Sequence, residues 1–325
     1  QRGGVNVTMY AIEAQRFGLK KEAVRGTAET SPSKWYPLLK GSELKYDLNL
    51  LDVDVLKGDP TALPPTAGAK MGVGKIKLPL DAQTCVEFLR SLLGGVASAQ
   101  QAATIAYKHT ITLAPGIQKP PYTFFLDYGI DVKKYALGIV KKVTMGGGVD
   151  ALGTFEADVL FKNEATGAIG SPTFPTQRIL AFNTMDFKIA GSSNTDVKEW
   201  QIEIDNNSQA LKTLNLSQDA IDIVTPGNLD ISGGFTIYFQ TEAERAKFLA
   251  NTAVALRMLA TGPLIASTYF YTVDVNIYAA HYTAFPFQDD NGLLAAKVQF
   301  KGYYSLPDTK AIQIEIYGGQ IQPCS

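Results

Sequence analysis

The residues that could do chemistry are few, and their spacing argues against most of it. His109 and His281 are the only histidines, so neither a histidine-rich metal site nor an HExxH zinc helix can be built. Each lies in an alternating stretch, where a hydrogen-bonded structural imidazole is the plainer reading. The run Gly72-Val73-Gly74-Lys75 begins like a phosphate loop but continues into Ile76, where Ser or Thr would hold magnesium, and there is no GxSxG elbow. Gly146-Gly147-Gly148 would cradle a phosphate only at the head of a helix, and no helical periodicity follows it, so it reads as part of a hairpin. Asp289-Asp290-Asn291-Gly292 offers carboxylates to calcium but lacks the ordered acidic positions of an EF-hand loop; Asn-Gly is first a tight turn. Asn206-Asn207-Ser208 and Asn215-Leu216-Ser217 match the glycosylation triplet, which matters only on a secretory route. The two cysteines, Cys85 and Cys324, supply no disulfide framework and no CxxC knuckle. The expectation is a protein that is not an enzyme and needs no cofactor or metal.

Composition narrows the class further. A formal charge of −1 and a pI near 6.2 lack the basic excess of a dedicated nucleic-acid binder, and no local run of Lys and Arg compensates. Apolar runs are broken by Gly, Pro or charge well before the ~20 residues a membrane span requires. The start QRGGVNVTMY carries no signal-peptide pattern, so a soluble, intracellular chain is expected. The 15 Tyr and 16 Phe could stack on carbohydrate, but in alternating strands they serve packing within and between subunits.

The elements repeat. GKIKLPLDAQTCVEFLRSLLGG from Gly74 has a counterpart in GFTIYFQTEAERAKFLANTAVA from Gly234, each a strand, a polar corner and an amphipathic helix bearing Phe88-Leu89 or Phe248-Leu249. Tyr122, Asp127 and Tyr135 are followed by Tyr269, Asp274 and Tyr282 at a constant offset of 147 (269 − 122, 274 − 127, 282 − 135), and Val159-x-Phe161-Lys162 by Val298-x-Phe300-Lys301. Three matches in one order point to a duplicated β-rich unit, which agrees with the two domains that 325 residues suggest.

In chain order, residues 1–43 read as an N-terminal arm ending in Trp35-Tyr36-Pro37. Residues 44–163 form the first unit, with a bulged strand at 44–55 and strands at 75–80, 107–113, 122–126, 134–143 and 154–162. Within it, residues 57–72 (KGDPTALPPTAGAKMG) form a long loop, Asp81 is the helix N-cap, and residues 145–153 connect a hairpin. Residues 164–196 cross between units, 197–317 form the second unit, and 318–325 a tail. The second unit carries its own long loop at 206–228 and a capping box in Thr241-x-x-Glu244. The fold class is therefore mainly β, with two tandem sandwich or barrel-like units, each flanked by one helix.

This arrangement resembles the tail tube proteins of long-tailed, non-contractile bacteriophages, in a two-unit form. The resemblance rests on Glu199-Trp200-Gln201-Ile202-Glu203-Ile204-Asp205-Asn206-Asn207, on the Gly233 to Phe239 strand feeding the Phe248-Leu249 helix, and on the equivalent strand and helix from Gly74 to Leu93. It implies a structural virion protein whose sheets join around a channel for double-stranded DNA in six-fold rings; with two units per chain, three chains would suffice. It also implies loops and an arm that reach neighbouring subunits and rings, here Lys57, Asp59, Pro60, Leu63 and Pro64, then Asn207, Leu211, Leu214 and Leu216, with Trp35 and Tyr36 on the arm. Implied partners are other copies of the chain, tape measure, tail tip and tail terminator proteins, and DNA in transit, with no membrane; assembly would occur in the host cytoplasm. Open sheet edges and the lack of a basic run fit such a conduit independently, since edges seek partners and bound phosphates would slow passage. A two-domain β-sandwich adhesin or receptor-binding virion protein is the alternative, and two equivalent long loops favour stacking over adhesion.

Overall fold

The computed structural model describes residues 15–53, 55, 61, 63–168, 170–176 and 178–319. Among these residues the chain is mainly β, with two α-helices and large antiparallel sheets in which no barrel closes within one chain. Its first part runs β1 (Arg16–Lys21), β2 (Lys34–Tyr36), β3 (Glu43–Leu51), β4 (Thr66–Pro79), α1 (Cys85–Leu93), β5 (Gly94–Gln100), β6 (Ala106–Leu113), β7 (Tyr122–Asp127), β8 (Val132–Gly148), β9 (Thr154–Phe161) and β10 (Asn163–Thr166). The second runs β11 (Met185–Ile189), β12 (Ser192–Ser193), β13 (Val197–Asp205), β14 (Gln209–Leu211), β15 (Asp222–Val224), β16 (Asp230–Tyr238), α2 (Ala243–Leu249), β17 (Val254–Ala266), β18 (Tyr269–Ala284), β19 (Phe287–Asp290), β20 (Leu293–Tyr303) and β21 (Ile312–Gly319).

The pairing pattern recurs. One layer of the first part is β2-β1-β7-β8-β10 and of the second β12-β11-β17-β18-β21. The facing layer is β3-β4-β9-β8 in the first and β13-β16-β20 followed by the end of β18 and β19 in the second. The long strands β8 and β18 each serve both layers, which is how an antiparallel sandwich turns a corner. Two insertions break the likeness. Hairpin β5–β6 follows α1 only, and β6 pairs with β21, so the first part extends the second part's sheet; β14–β15 occupies only the second long loop.

Apolar alternation along these strands fills the space between layers. All of α1 except Arg90 is buried, because the stripe Cys85, Phe88, Leu89, Leu92, Leu93 lies between layers: Phe88 packs on Phe17 and Tyr36 on one side and Phe155 on the other, with ring centroids 6.3, 5.4 and 5.9 Å away. Its one carboxylate, Glu87, accepts from the Tyr122 hydroxyl at 2.6 Å and from Lys34. Helix α2 is peripheral, with no buried residue, and its Glu244 accepts from the Tyr282 hydroxyl at 2.8 Å.

Several local expectations are corrected. Asp81 does not cap α1; Thr84 precedes it, and the buried Asp81 carboxylate accepts from the backbone N–H groups of Gln83 and Arg178 at 2.8 and 2.6 Å, joining the corner to the 164–196 crossing. Burial pushes the Asp81 carboxyl above its usual range. No capping box forms at α2, since Glu244 is committed to Tyr282 and Lys247. Strand β4 begins at Thr66, once the prolines end, so 66–72 is strand and not loop; β8 likewise runs to Gly148, leaving only 149–153 as the turn.

The repeat itself is offset by one residue from the sequence match. Gly72 faces Phe161 and Gly233 faces Phe300, and an added Cβ at either glycine would meet the opposing ring, at 2.2 and 2.6 Å. These glycines are therefore equivalent, and Gly74 corresponds to Phe235, not Gly234. Tyr122 and Asp127 lie in β7, whereas Tyr269 and Asp274 lie in β18, so that part of the constant spacing joins strands with different pairings.

Candidate functional site

Strands β8 and β13 join the two parts edge to edge. Seven pairs, from Lys142 with Asp205 to Gly148 with Glu199, put eight strand positions in one row: β3, β4, β9, β8, β13, β16, β20 and the β18–β19 end. On one face of the joint Val143, Met145, Trp200, Ile202 and Ile204 are buried. The glycine run belongs here and not to a phosphate: a Cβ at Gly147 would fall 2.6 Å from the Met185 sulfur and 3.2 Å from Trp200 Nε1.

The opposite face of the row is polar and concave, bounding a groove of ≈ 1130 Å³ lined by Lys77, Lys142, Glu156, Glu199, Glu203 and Lys301 among others. Period-two alternation brings these side chains to one side. Their signs interleave across strands. Lys75 pairs with Glu156 and lies 3.6 Å from Asp158; Lys77 lies 3.5 Å from Glu156; Lys142 lies 3.5 Å from Asp158 and 3.4 Å from Glu203; Lys301 lies 3.0 Å from Asp230. The Glu156 bond raises the Lys75 ammonium above its ordinary pKa. Partial burial pushes Glu156 up, but Lys75 and Lys77 outweigh it and hold the carboxyl below its usual range. Asp230 is likewise held low by Asn207 and Lys301. Lys75, Lys77, Lys142 and Lys301 thus all face carboxylates.

A second connection clasps the parts together. Asn206, buried directly after β13, donates from Nδ2 to the carbonyls of Leu92 and Val140, both at 2.9 Å, while its Oδ1 accepts from the Ser208 N–H and hydroxyl. Farther along the loop, Arg25 donates to Asp222 Oδ1 at 2.9 Å and to the carbonyls of Lys119 and Ile223 at 2.7 and 2.6 Å; Ile223 is buried with Leu137, Ile139 and Leu160. Asn206→Leu conserves volume but removes the donor from two buried carbonyls, each costing about 1–3 kcal/mol. The expected result is a loss of about 2–4 kcal/mol in urea unfolding, and a midpoint equal to that of the unaltered chain would show that the clasp is dispensable.

The second candidate loop docks on the β3–β4 hairpin, beside the strand into which the first candidate loop leads. The Lys70 N–H donates to the Gln218 carbonyl at 2.9 Å, and the Tyr46 hydroxyl bonds Asp219. Leu63 and Pro64 are exposed, as are Leu211, Leu214 and Leu216 at the second loop's outer turn, while Asn207 holds φ 56° and donates to the Asn228 carbonyl and Asp230. Lys57, Asp59 and Pro60 lie outside the described residues. Trp35 and Tyr36 sit in β2 with 8% and 2% exposure, Tyr36 packed on Phe88, so the region read as an arm contributes a hairpin to the chain's own core from residue 16 to 36. Arg25, Asp222 and Ile223 escaped the sequence reading, since a lone Arg and a lone Asp 197 residues apart give no local signal.

The histidines are not brought together. His109 is buried with Nδ1 2.7 Å from Ser98 Oγ, and burial pushes its pKa down to about 4; His281 is on the surface, 2.9 Å from Asn251 Oδ1. Among the described residues no group of three His, Cys, Asp or Glu is arranged for a metal ion, and no helix is long and apolar enough to cross a membrane. In comparisons with known proteins, the family model described as phage tail tube protein matches residues 13–302. No curated protein matches the chain.

Proposed function

The chain belongs to the phage tail tube protein family, and on that premise we propose that three copies close a ring, each supplying two tube-type units, and that stacked rings form the channel for double-stranded DNA. Membership makes it a structural protein of the virion tail that associates with itself. The observation that carries the finer reading is the β8–β13 joint. It is a lateral contact between two like four-strand layers, already made inside one chain, and repeating it between chains would continue the row until it closes.

The units in this reading are 44–163 and 197–317, each introduced by a hairpin. The polar concave face lines the channel, where lysines held by carboxylates leave phosphates little to gain. Leu63 and Pro64 with Leu211, Leu214 and Leu216 face the adjacent ring, and tape measure, tail tip and tail terminator proteins meet the tube at its ends. Assembly in the host cytoplasm precedes packaging into the virion. Negative-stain imaging of purified protein, combined with native mass measurement, tests this reading. Rings or tubes with three chains per layer are expected, and a persistent monomer over a wide concentration range would overturn it.

A further inference from the structure

Among the described residues, β3 and β19 each have a strand on one side only. They stand at opposite ends of the eight-position row. Their exposed apolar side chains have buried counterparts at the internal joint, and the repeat identifies them. Phe161 and Phe300 are equivalent, so Ala157 and Ala296, four residues earlier, are equivalent too; Val143 faces the first and Phe287 the second. This equates β19 with the joint segment of β8 at an offset of 144 (287 − 143). Tyr46 faces Gly72 as Ile202 faces Gly233, which equates β3 with β13 at an offset of 156 (202 − 46) and Leu48 with Ile204.

At the internal joint Ile204 faces Val143 and both are fully buried. Their equivalents Leu48 and Phe287 are 42% and 45% exposed. We propose that β3 of one copy pairs antiparallel with β19 of a second copy in the register Leu48 opposite Phe287. The same register sets Asp47 opposite Gln288, as Glu203 stands opposite Thr144, and Lys45 opposite Asp290, which already accepts from Lys198. The pairing therefore covers two half-exposed apolar side chains and satisfies two open strand edges. It rests on the ring reading and goes beyond it by fixing which residues meet.

The experiment uses the full chain carrying Cys324→Ser, with Cys85 left in place because it is buried. Asp47→Cys with Gln288→Cys places thiols directly opposite at a Cα separation of about 4.5–5.5 Å, inside the disulfide range of roughly 4.4–6.8 Å. Asn49→Cys with Gln288→Cys is the diagonal control, whose positions are about 7–8 Å apart. Mild oxidation of the first variant should give a covalent ladder ending at three chains, formed at least about tenfold faster than with the control. Faster bridging by the control would overturn the register. Rings in micrographs with no intermolecular disulfide from either variant would overturn the pairing while leaving the three-chain ring standing. Single chains by imaging and by mass would remove the ring reading and this pairing with it.

Discussion

Gly72→Ala should leave little soluble folded protein, and Gly233→Ala should do the same. A Cβ at Gly72 would sit 2.2 Å from the Phe161 ring and 2.4 Å from its carbonyl oxygen; at Gly233 it would sit 2.3 Å from the Gln201 carbonyl and 2.6 Å from the Phe300 ring. A ring can rotate at some cost, but Phe161 is already packed on Tyr135 with centroids 4.6 Å apart. The carbonyl oxygens belong to strands on either side of the glycine's own strand and cannot withdraw without opening the row. Ordinary overpacking costs about 1–3 kcal/mol, and a clash with fixed backbone adds to that, against a total stability of about 5–15 kcal/mol for a domain. Gly116→Ala is the control, since its nearest atom is the Gln118 carbonyl oxygen at 3.9 Å, and its effect should stay within about 0.5 kcal/mol. Soluble yield and urea midpoints of the three variants decide the matter. A Gly72→Ala midpoint equal to that of Gly116→Ala would mean that the close approach of β4 and Phe161 is absent in solution.

These glycines also show how far the sequence could be read. The alternation in Phe155, Ala157, Val159 and Phe161 sets a strand with one buried face, and the helical stripe from Cys85 to Leu93 sets α1, because both patterns follow from the geometry of a single element. The duplication was visible through the Phe-Leu helices and the Val-x-Phe-Lys strands, yet aligning on Gly74 and Gly234 gave a match one residue out. Glycine carries no side chain to declare its face, and only the opposing rings of Phe161 and Phe300 reveal that Gly72 and Gly233 correspond. Thr66–Gly72 looked like loop because glycines are read as breakers; here Gly72 admits the Phe161 ring from the next strand and Gly68 the close approach of the Asn49 carbonyl. Trp35 and Tyr36 looked like surface anchors because their strand partners, Gly18 and Phe17, are local only after the hairpin forms. Polar positions in alternating strands were legible, but not which face of the sheet would bound a groove, since alternation marks two faces without saying which is covered. The ion pairs were not legible either, because Lys75 and Glu156, or Lys142 and Glu203, stand 81 and 61 residues apart and meet only through register.

The same ion pairs set the largest functional effect expected. Glu156→Gln, Asp158→Asn and Glu203→Gln together remove the carboxylates that face Lys75, Lys77 and Lys142. Each partly exposed pair contributes only about 0–1 kcal/mol to stability, so the triple variant should still fold, but three lysines per chain would then lose these counter-charges, two of them lining the groove. Duplex DNA that the unaltered protein does not retain should bind the variant without sequence preference, and the logarithm of affinity should fall with the logarithm of salt by about 0.9 for each phosphate neutralised. Three lysines from a single chain would give a slope near −2.7, whereas a ring in which several chains surround one duplex would give a steeper one; six to ten contacts correspond to a loss of about 10³–10⁵ in affinity between 50 and 200 mM salt. The slope therefore counts the chains around the DNA. A variant that binds no DNA at low salt would place these lysines away from the channel, and a slope no steeper than that of one chain, measured on assembled tubes, would mean that the polar faces of neighbouring copies do not converge on a common axis.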